Sequence, residues 1–469
     1  MWSALATLPT NFISKQKGVT AARNVIDGHL RTLSLKGSNL QSSIKVSGTT
    51  DDPEIRLRQL LEKLDLTLAG EGRLGLGSNN LLFMTCELLL LAQEREGNQL
   101  LLIEEPEAHP HPQNQLQVIK FLQDQASKDG TGVQIIITTH SPNLASAIKL
   151  DNLVMISGRH PFPLRRGETE LEESDYSFLE RFLDVTTSYL FFFARGVLIV
   201  ERDAENILLP TLAKLLNRDF TKHGVSVVNV GGIGLHRYAG IFQRKDETTQ
   251  LKIPVACLTD MDVMPDCAPV IFGTLKEGDA WPETKGRKWR AKKDIGDKNA
   301  LEAYRQGKVL KAAGQCVRTF VSDEWTLEYD LALGPQDAVG NFSNGLAEDV
   351  FLSACLAYKD DAINTGKAKR EDVEKNASNR FAELKAEVIP RDGCTVEEVL
   401  ASTIYANYVK HDVSKPVAAQ YLAELLNTKY SNRSEDLQKI LPKYLVAAID
   451  YVTGTSEPED NGKEDSGEP

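Results

Sequence analysis

Two places in this 469-residue chain gather side chains able to act on phosphate. The first is Leu100-Leu-Leu-Ile-Glu-Glu-Pro-Glu-Ala-His109, followed about thirty residues on by Ile135-Ile-Ile-Thr-Thr-His140-Ser-Pro142. Its four leading apolar residues predict a buried strand. The carboxylates at its end, Glu104 and Glu105, suit a magnesium ligand and a base for an attacking water. The second run ends in His140, with Ser141 as N-cap and Pro142 in the first turn of a helix expected from Asn143 to Leu150. Two strands would thus deliver polar groups to one edge. Each half also has a plain reading, as an acidic strand-to-loop junction and as an ordinary helix start.

The second place is built from acids far apart in sequence. Val197-Leu-Ile-Val200 predicts a short buried strand ending in Glu201, and Ala204 to Leu216 a helix with Ile207, Leu208, Leu212, Leu215 and Leu216 on one stripe. Val225 to Val230 is the next apolar run, closing on Gly231-Gly232; Pro254 to Leu258 is a third, ending in Thr259-Asp260-Met261-Asp262. Strands alternating with helices imply a parallel sheet with its active edge at the carboxyl ends. Glu201, Asp260 and Asp262 should therefore converge. An Asp-x-Asp spacing suits Mg²⁺ or Mn²⁺, and three acids crowded without a cation would raise one another's pKa values.

The first pair of strands resembles the Walker B strand and switch histidine of ABC-type ATPases, the branch shared by chromosome-maintenance and RecF-like proteins. Leu74-Gly-Leu-Gly-Ser-Asn-Asn-Leu-Leu-Phe83 sits where that branch carries its signature loop, ahead of a largely apolar helix from Leu81 to Ala92. The resemblance implies that Ser78 touches the γ-phosphate of a nucleotide held by a second subunit. It also implies that Glu104 replaces a common aspartate and that Glu105 is the hydrolytic glutamate. No Gly-x-x-x-x-Gly-Lys-Ser/Thr occurs in the chain, so the loop that would cradle the α- and β-phosphates is absent. A fragment, a late start codon or a naturally reduced protein is expected, with ATP a possible ligand and its hydrolysis weak or absent.

A strand-end glutamate followed by Asp-x-Asp on a later strand resembles the TOPRIM domain of topoisomerases, primases and certain nucleases. Such a domain behind an ABC-type ATPase resembles the OLD (overcoming lysogenization defect) family of ATP-dependent endonucleases, over roughly Asp52 to Leu422. The resemblance implies a two-metal phosphodiesterase in which Glu201, Asp260 and Asp262 hold one ion while Glu205 and Glu328 help hold the second. Lys415, in Ser414-Lys-Pro-Val-Ala-Ala419, would offset charge on the phosphate. The plain alternatives are a strand-end surface acid for Glu201 and a helix-surface acid for Glu328.

The fold class expected is α/β: a partial ABC-type ATPase lobe, then a Rossmann-like parallel-sheet TOPRIM domain with a helical insert or cap. The expected divisions are an ATPase part over residues 1–160, a linker over 161–190, TOPRIM over 191–345, helices over 346–453 and an acidic tail over 454–469. Asp52-Pro53 should cap a helix running through Leu66, with little pattern before it. Further helices are expected over Ala347 to Tyr358, Glu371 to Val388 and Ala418 to Leu426.

Hydrophobic content of 41% and charged content of 26% are ordinary for a globular protein. No run reaches the roughly 18 apolar residues that span a bilayer, no signal core is present, and six scattered cysteines form no close pairs in sequence. A cytoplasmic protein without membrane contact is expected. The net charge of −12 owes much to Gly454 to Pro469, which carries six acids and one lysine. Against it stands Lys285-Gly-Arg287-Lys288-Trp289-Arg290-Ala-Lys292-Lys293, either an arm that grips nucleic acid beside the metal site or a solvated basic loop. The leading expectation is a DNA endonuclease or nickase acting on phage or plasmid DNA, a homodimer or higher homo-oligomer, with a partner protein of a defence system as a further candidate. The alternatives are a TOPRIM primase or topoisomerase, and a silent regulatory subunit.

Overall fold

The structure is a computed structural model that describes residues 15–33, 41–46, 64–68, 76–91, 99–108, 111–126, 133–185, 192–232 and 234–454. The chain divides into two compact units, residues 1–149 with 183–189 and residues 150–182 with 190–469.

In the first unit, α1 (Lys17–Leu33) precedes the antiparallel strands β1 (Ser42–Val46) and β2 (Leu64–Leu68). Then come α2 (Leu76–Leu91), β3 (Leu100–Glu104), α3 (Pro112–Ala126), β4 (Gln134–Thr138) and the short α4 (Pro142–Ser146). β3 and β4 pair in parallel with Glu104 opposite Thr138. Leu101, Ile103, Ile135 and Ile137 pack beneath Leu81, Met84 and Leu88 of α2 and Val118, Phe121 and Leu122 of α3. The strands are not buried on both faces as expected. Helices cover one face, and Leu100, Leu102 and Ile136 on the other are exposed.

Three further expectations change here. The helix predicted to reach Leu66 lies outside the described residues up to 63, and Leu64–Leu68 is a strand. Leu-Asp-Leu-Thr-Leu alternates with period two, and pairing with β1 captures it. The region before Asp52 is not patternless, since α1 packs Ile26 and Leu30, one helical turn apart, against Leu82. Asp27 also accepts hydrogen bonds from the Ser42 amide at 2.7 Å and hydroxyl at 2.6 Å. The helix α4 ends at Ser146 rather than continuing to Leu150.

The second unit opens with an antiparallel pair, β5 (Val154–Ser157) and β6 (His160–Pro163), and the helix α5 (Glu173–Val185). Much of the segment expected as a linker is therefore folded. The Tyr176 hydroxyl bonds to Thr169 and to the Leu164 carbonyl, and the buried Arg244 guanidinium donates to the Pro163 carbonyl.

Four parallel strands follow in the spatial order β8 (Val225–Asn229), β7 (Gly196–Val200), β9 (Val255–Thr259), β10 (Val317–Val321). β7 is central and buried throughout because Val-Leu-Ile-Val has apolar side chains for both faces. Its connection through α6 (Asp203–Leu215) leads to β8 on one side, while β9 and β10 lie on the other. The order thus reverses at β7, the position at which open α/β sheets bind ligands. α6 buries Leu208, Leu209, Leu212 and Leu215; Ile207, expected on that stripe, is 36% exposed.

The remaining helices include α7 (Lys298–Val309), α8 (Leu327–Leu333), α9 (Ala347–Tyr358), α10 (Arg370–Glu387), α11 (Val396–Lys410), α12 (Lys415–Tyr430) and α13 (Lys443–Thr453). α7 packs on a separate cluster of Met261, Val263 and Val321, while the other six share one apolar core with Leu198, Val200, Ala256 and Leu258 of the sheet, so the helical region completes the sheet domain rather than standing apart. α13 approaches β7 so closely that a Cβ on Gly196 would lie 2.2 Å from the Val452 carbonyl oxygen. No described helix is long and apolar enough to cross a membrane.

Candidate metal and phosphate site

Glu201 is the first residue beyond β7, and Thr259 is the last of β9. Ile199 faces Cys257 in register, so the two strand ends coincide, and the Thr259 hydroxyl donates to Glu201 Oε1 at 2.7 Å. Asp260 follows directly. Between the two aspartates Met261 is buried with Val263 and Val321, an apolar peg that leaves the flanking acids at the edge. Asp262 turns outward with φ of 59°. Its carboxylate is ion-paired to Lys308 on α7 at 2.5 Å, and the same ammonium donates to the Asp260 carbonyl at 2.7 Å.

Glu205, one turn into α6, is 8% exposed, and its Oε2 has no hydrogen-bond partner among the described residues. Burial, then the neighbouring Glu328, pushes its carboxyl up to about 7. Burial raises Asp260 well above the ordinary range too, reinforced by Glu328 and Glu205. Glu328 is buried on α8 and accepts from Lys415 Nζ at 2.9 Å, while Lys415 also donates to the Tyr405 hydroxyl at 3.0 Å. Burial alone would lower the pKa of that ammonium, but Glu328 and Tyr405 together outweigh it and the pKa of Lys415 is raised. Glu201, Glu205, Asp260, Glu328 and Lys415 thus come together, whereas Asp262 faces Lys308.

Among the described residues, no three of these carboxylates close tightly enough to enclose an ion. Without a cation they repel one another, and Glu201, Asp262 and Glu328 have each taken another partner. The donor set nevertheless fits a hard divalent cation. It is all oxygen, it includes an orphaned buried oxygen on Glu205, and Asp260 is desolvated beside two other acids. Lys308, Thr259 and Tyr405 escaped sequence reasoning. Lys308 lies 46 residues beyond Asp262 on a helix with no motif of its own.

In the first unit, Glu105 and His140 meet at the carboxyl ends of β3 and β4, with Glu105 Oε1 3.5 Å from His140 Nε2. Glu105 adopts φ of 42°, and its amide donates to the Thr138 carbonyl. Glu107, not singled out from sequence, accepts from the Thr139 hydroxyl and the His140 amide, both at 2.7 Å. Ser141 caps α4 as expected. Glu104 is exposed at the end of β3. Ser78 lies within α2, which starts at Leu76, rather than in a loop before a helix at Leu81.

Residues 14–145 match the family described as AAA ATPase domain, and residues 192–262 match the TOPRIM domain of overcoming lysogenization defect protein-like sequences. In chain order, a segment similar to an AAA ATPase domain precedes one similar to an OLD-like TOPRIM domain. It is 25% identical over 225 residues to endonuclease GajA of Bacillus cereus, covering 42% of this chain and 32% of that protein. It is 29% identical over 248 residues to the OLD nuclease of Thermus scotoductus, covering 50% and 44% respectively. The chain therefore spans less than half the length of these relatives. Among solved structures, the C-terminal region of the Xanthomonas campestris pv. campestris OLD protein aligns at 23% identity and a TM-score of 0.30, over 56% of this chain and 94% of that one.

Beside the TOPRIM acids, the basic segment is fastened to the loop after Asp262. The Met264 amide donates to the Arg290 carbonyl, the Lys292 amide to the Met264 carbonyl, and the Lys293 amide to Asp266. Its cations divide into two kinds. Arg287 is largely covered, its side chain 9% exposed, paired with Asp294 and stacked 4.0 Å from the Trp289 ring centre; Trp289 in turn packs edge-on against Trp281. Lys292 bridges Glu324 and Glu398. These three side chains are engaged within the fold. Lys285, Lys288, Arg290 and Lys293 are exposed.

Proposed function

We propose that this chain cuts DNA by metal-assisted hydrolysis of phosphodiester bonds. Glu201, Glu205, Asp260, Asp262 and Glu328 are its ligands for Mg²⁺ or Mn²⁺, and Lys415 is its charge partner for the phosphate. The observation that carries this reading is the group of desolvated carboxylates at the reversal point of a parallel sheet, with one buried oxygen of Glu205 unsatisfied. Such a group is unfavourable without a cation. When bound, a pair of divalent ions supplies an activated water and neutralises the departing oxygen. Lys415, oriented by Glu328 and Tyr405, places positive charge where phosphate oxygens gain negative charge. Lys285, Lys288, Arg290 and Lys293 bind the DNA backbone beside the loop.

In this proposal the ATPase domain regulates or dimerises the nuclease. Glu104, Glu105, His140 and Ser78 are directed to a nucleotide, and phage or plasmid DNA is the target class in antiviral defence. Supercoiled plasmid incubated with the protein and Mg²⁺ or Mn²⁺ should be nicked or linearised, and Asp260→Ala and Glu205→Gln should abolish this. Equal cleavage by the folded Asp260→Ala variant would overturn the assignment.

A further inference from the structure

Lys308 presses a positive charge against the two aspartates that follow β9. Its ammonium donates to Asp262 Oδ2 at 2.5 Å and to the Asp260 carbonyl at 2.7 Å. A carboxylate oxygen and a backbone carbonyl oxygen are also what a hard divalent cation gathers. We infer that Lys308 is the resident counter-ion of the metal-free site, a positioning residue that holds Asp262 until a divalent cation displaces its ammonium.

The helix that carries Lys308 is fixed across the end of the sheet. Leu301, Tyr304 and Val309 of α7 pack against Met261, Val263 and Val321, so the helix rests on the same apolar peg that separates the two aspartates. One turn before Lys308, the Arg305 guanidinium donates to the Ser322 carbonyl at 2.8 Å and to the Asp323 carbonyl. The aspartate loop is anchored from its other side, where the Met261 amide donates to the Ser322 hydroxyl at 2.7 Å and to the Trp325 carbonyl at 3.0 Å. With both backbones held, the movable part of the contact is the four-carbon stem of the lysine. The Asp262 side chain is 60% exposed, against 13% for Lys308. A dissolved cation therefore reaches this carboxylate from solvent without opening the fold.

Lys308 and Lys415 have different tasks. Lys415 is held by Glu328 and Tyr405, on two separate helices, and neither partner is released when it meets phosphate. Lys308 is held by one exposed carboxylate and one carbonyl, and an ion pair of that kind is weak. A doubly charged ion can replace it. Until then the ammonium keeps Asp262 ionised beside the other acids and blunts their repulsion. The same occupancy raises the free-metal concentration at which the site fills. Such an exchange rests on the metal site at Asp260 and Asp262 proposed above.

The test uses the whole chain, acylated briefly with acetic anhydride in EDTA or in Mg²⁺ and mapped by peptide mass spectrometry. Lys308 should be labelled more when Mg²⁺ is present, whereas exposed Lys288 should be labelled equally in both. The increase should vanish in Asp260→Ala. In a Mn²⁺ titration by calorimetry, Lys308→Met should bind about 2- to 5-fold more tightly than wild type, the worth of a part-exposed ion pair. A lysine that only braced the loop would give the reverse, weaker binding in Lys308→Met. Equal or lower labelling of Lys308 in Mg²⁺, or Mn²⁺ binding by Lys308→Met that is unchanged or weaker, would overturn the exchange and leave the metal site standing. Absence of Mn²⁺ binding by the wild-type protein would overturn both.

Discussion

At Glu205 a carboxyl sits in the core with one oxygen unsatisfied, so its ionisation is resisted until a positive charge arrives. The folded value of about 7 lies above the ordinary 4.5, which means that the folded state holds the proton more tightly than the unfolded chain. Its contribution to stability is complete below about 4.5 and disappears as pH rises through about 7. Thermal unfolding of the metal-free protein should therefore show a loss of stability across that window, and Glu205→Gln should flatten it. Mn²⁺ should restore stability on the alkaline side. Lys415 acts differently, because its ammonium is already held charged. Lys415→Met should lower single-turnover cleavage by about 10²- to 10³-fold while DNA affinity in a gel-shift titration changes little.

The basic segment shows what an element adds to its residues. Arg287 is enclosed by Asp294 and two tryptophans, so Arg287→Ala should cost about 3 kcal/mol in urea unfolding. Lys288→Ala should unfold like wild type, yet weaken DNA binding and reduce its salt slope by about 1. The sequence alone could not separate these two cations, since only the fold brings Asp294, Trp281 and Trp289 around one of them. Strand ends were more legible. Val197 to Glu201 and Pro254 to Asp262 state both the strand and its terminal acid within a few consecutive residues. Lys308 was illegible because its partners, Asp260 and Asp262, are reached only through the placement of α7. Leu64–Leu68 was misread because its strand depends on β1, a pairing that local helical signals do not reveal. Gly196 is a further case, a glycine in a buried strand whose reason is another helix. Gly196→Ala should destabilise by about 1–3 kcal/mol, measured by denaturant unfolding, because the methyl group would meet the Val452 carbonyl.

Taken whole, the molecule carries two strand edges with different equipment. The edge of the first unit has its glutamate and histidine in place, but the chain contains no phosphate-cradling motif. Calorimetry with Mg·ATP should accordingly find no tight binding, and steady-state hydrolysis should be weak. The second edge draws its groups from much further apart. Glu201, Asp260, Glu328 and Lys415 span more than two hundred residues, and the carbonyl pressed against Gly196 belongs to Val452. A ribosome delivers β7 long before it delivers α12 and α13. During synthesis the central strand must wait without the helix that covers it, and the acids wait without their lysine. Because those two helices come late in the chain, the second edge stays incomplete until they have been made and folded.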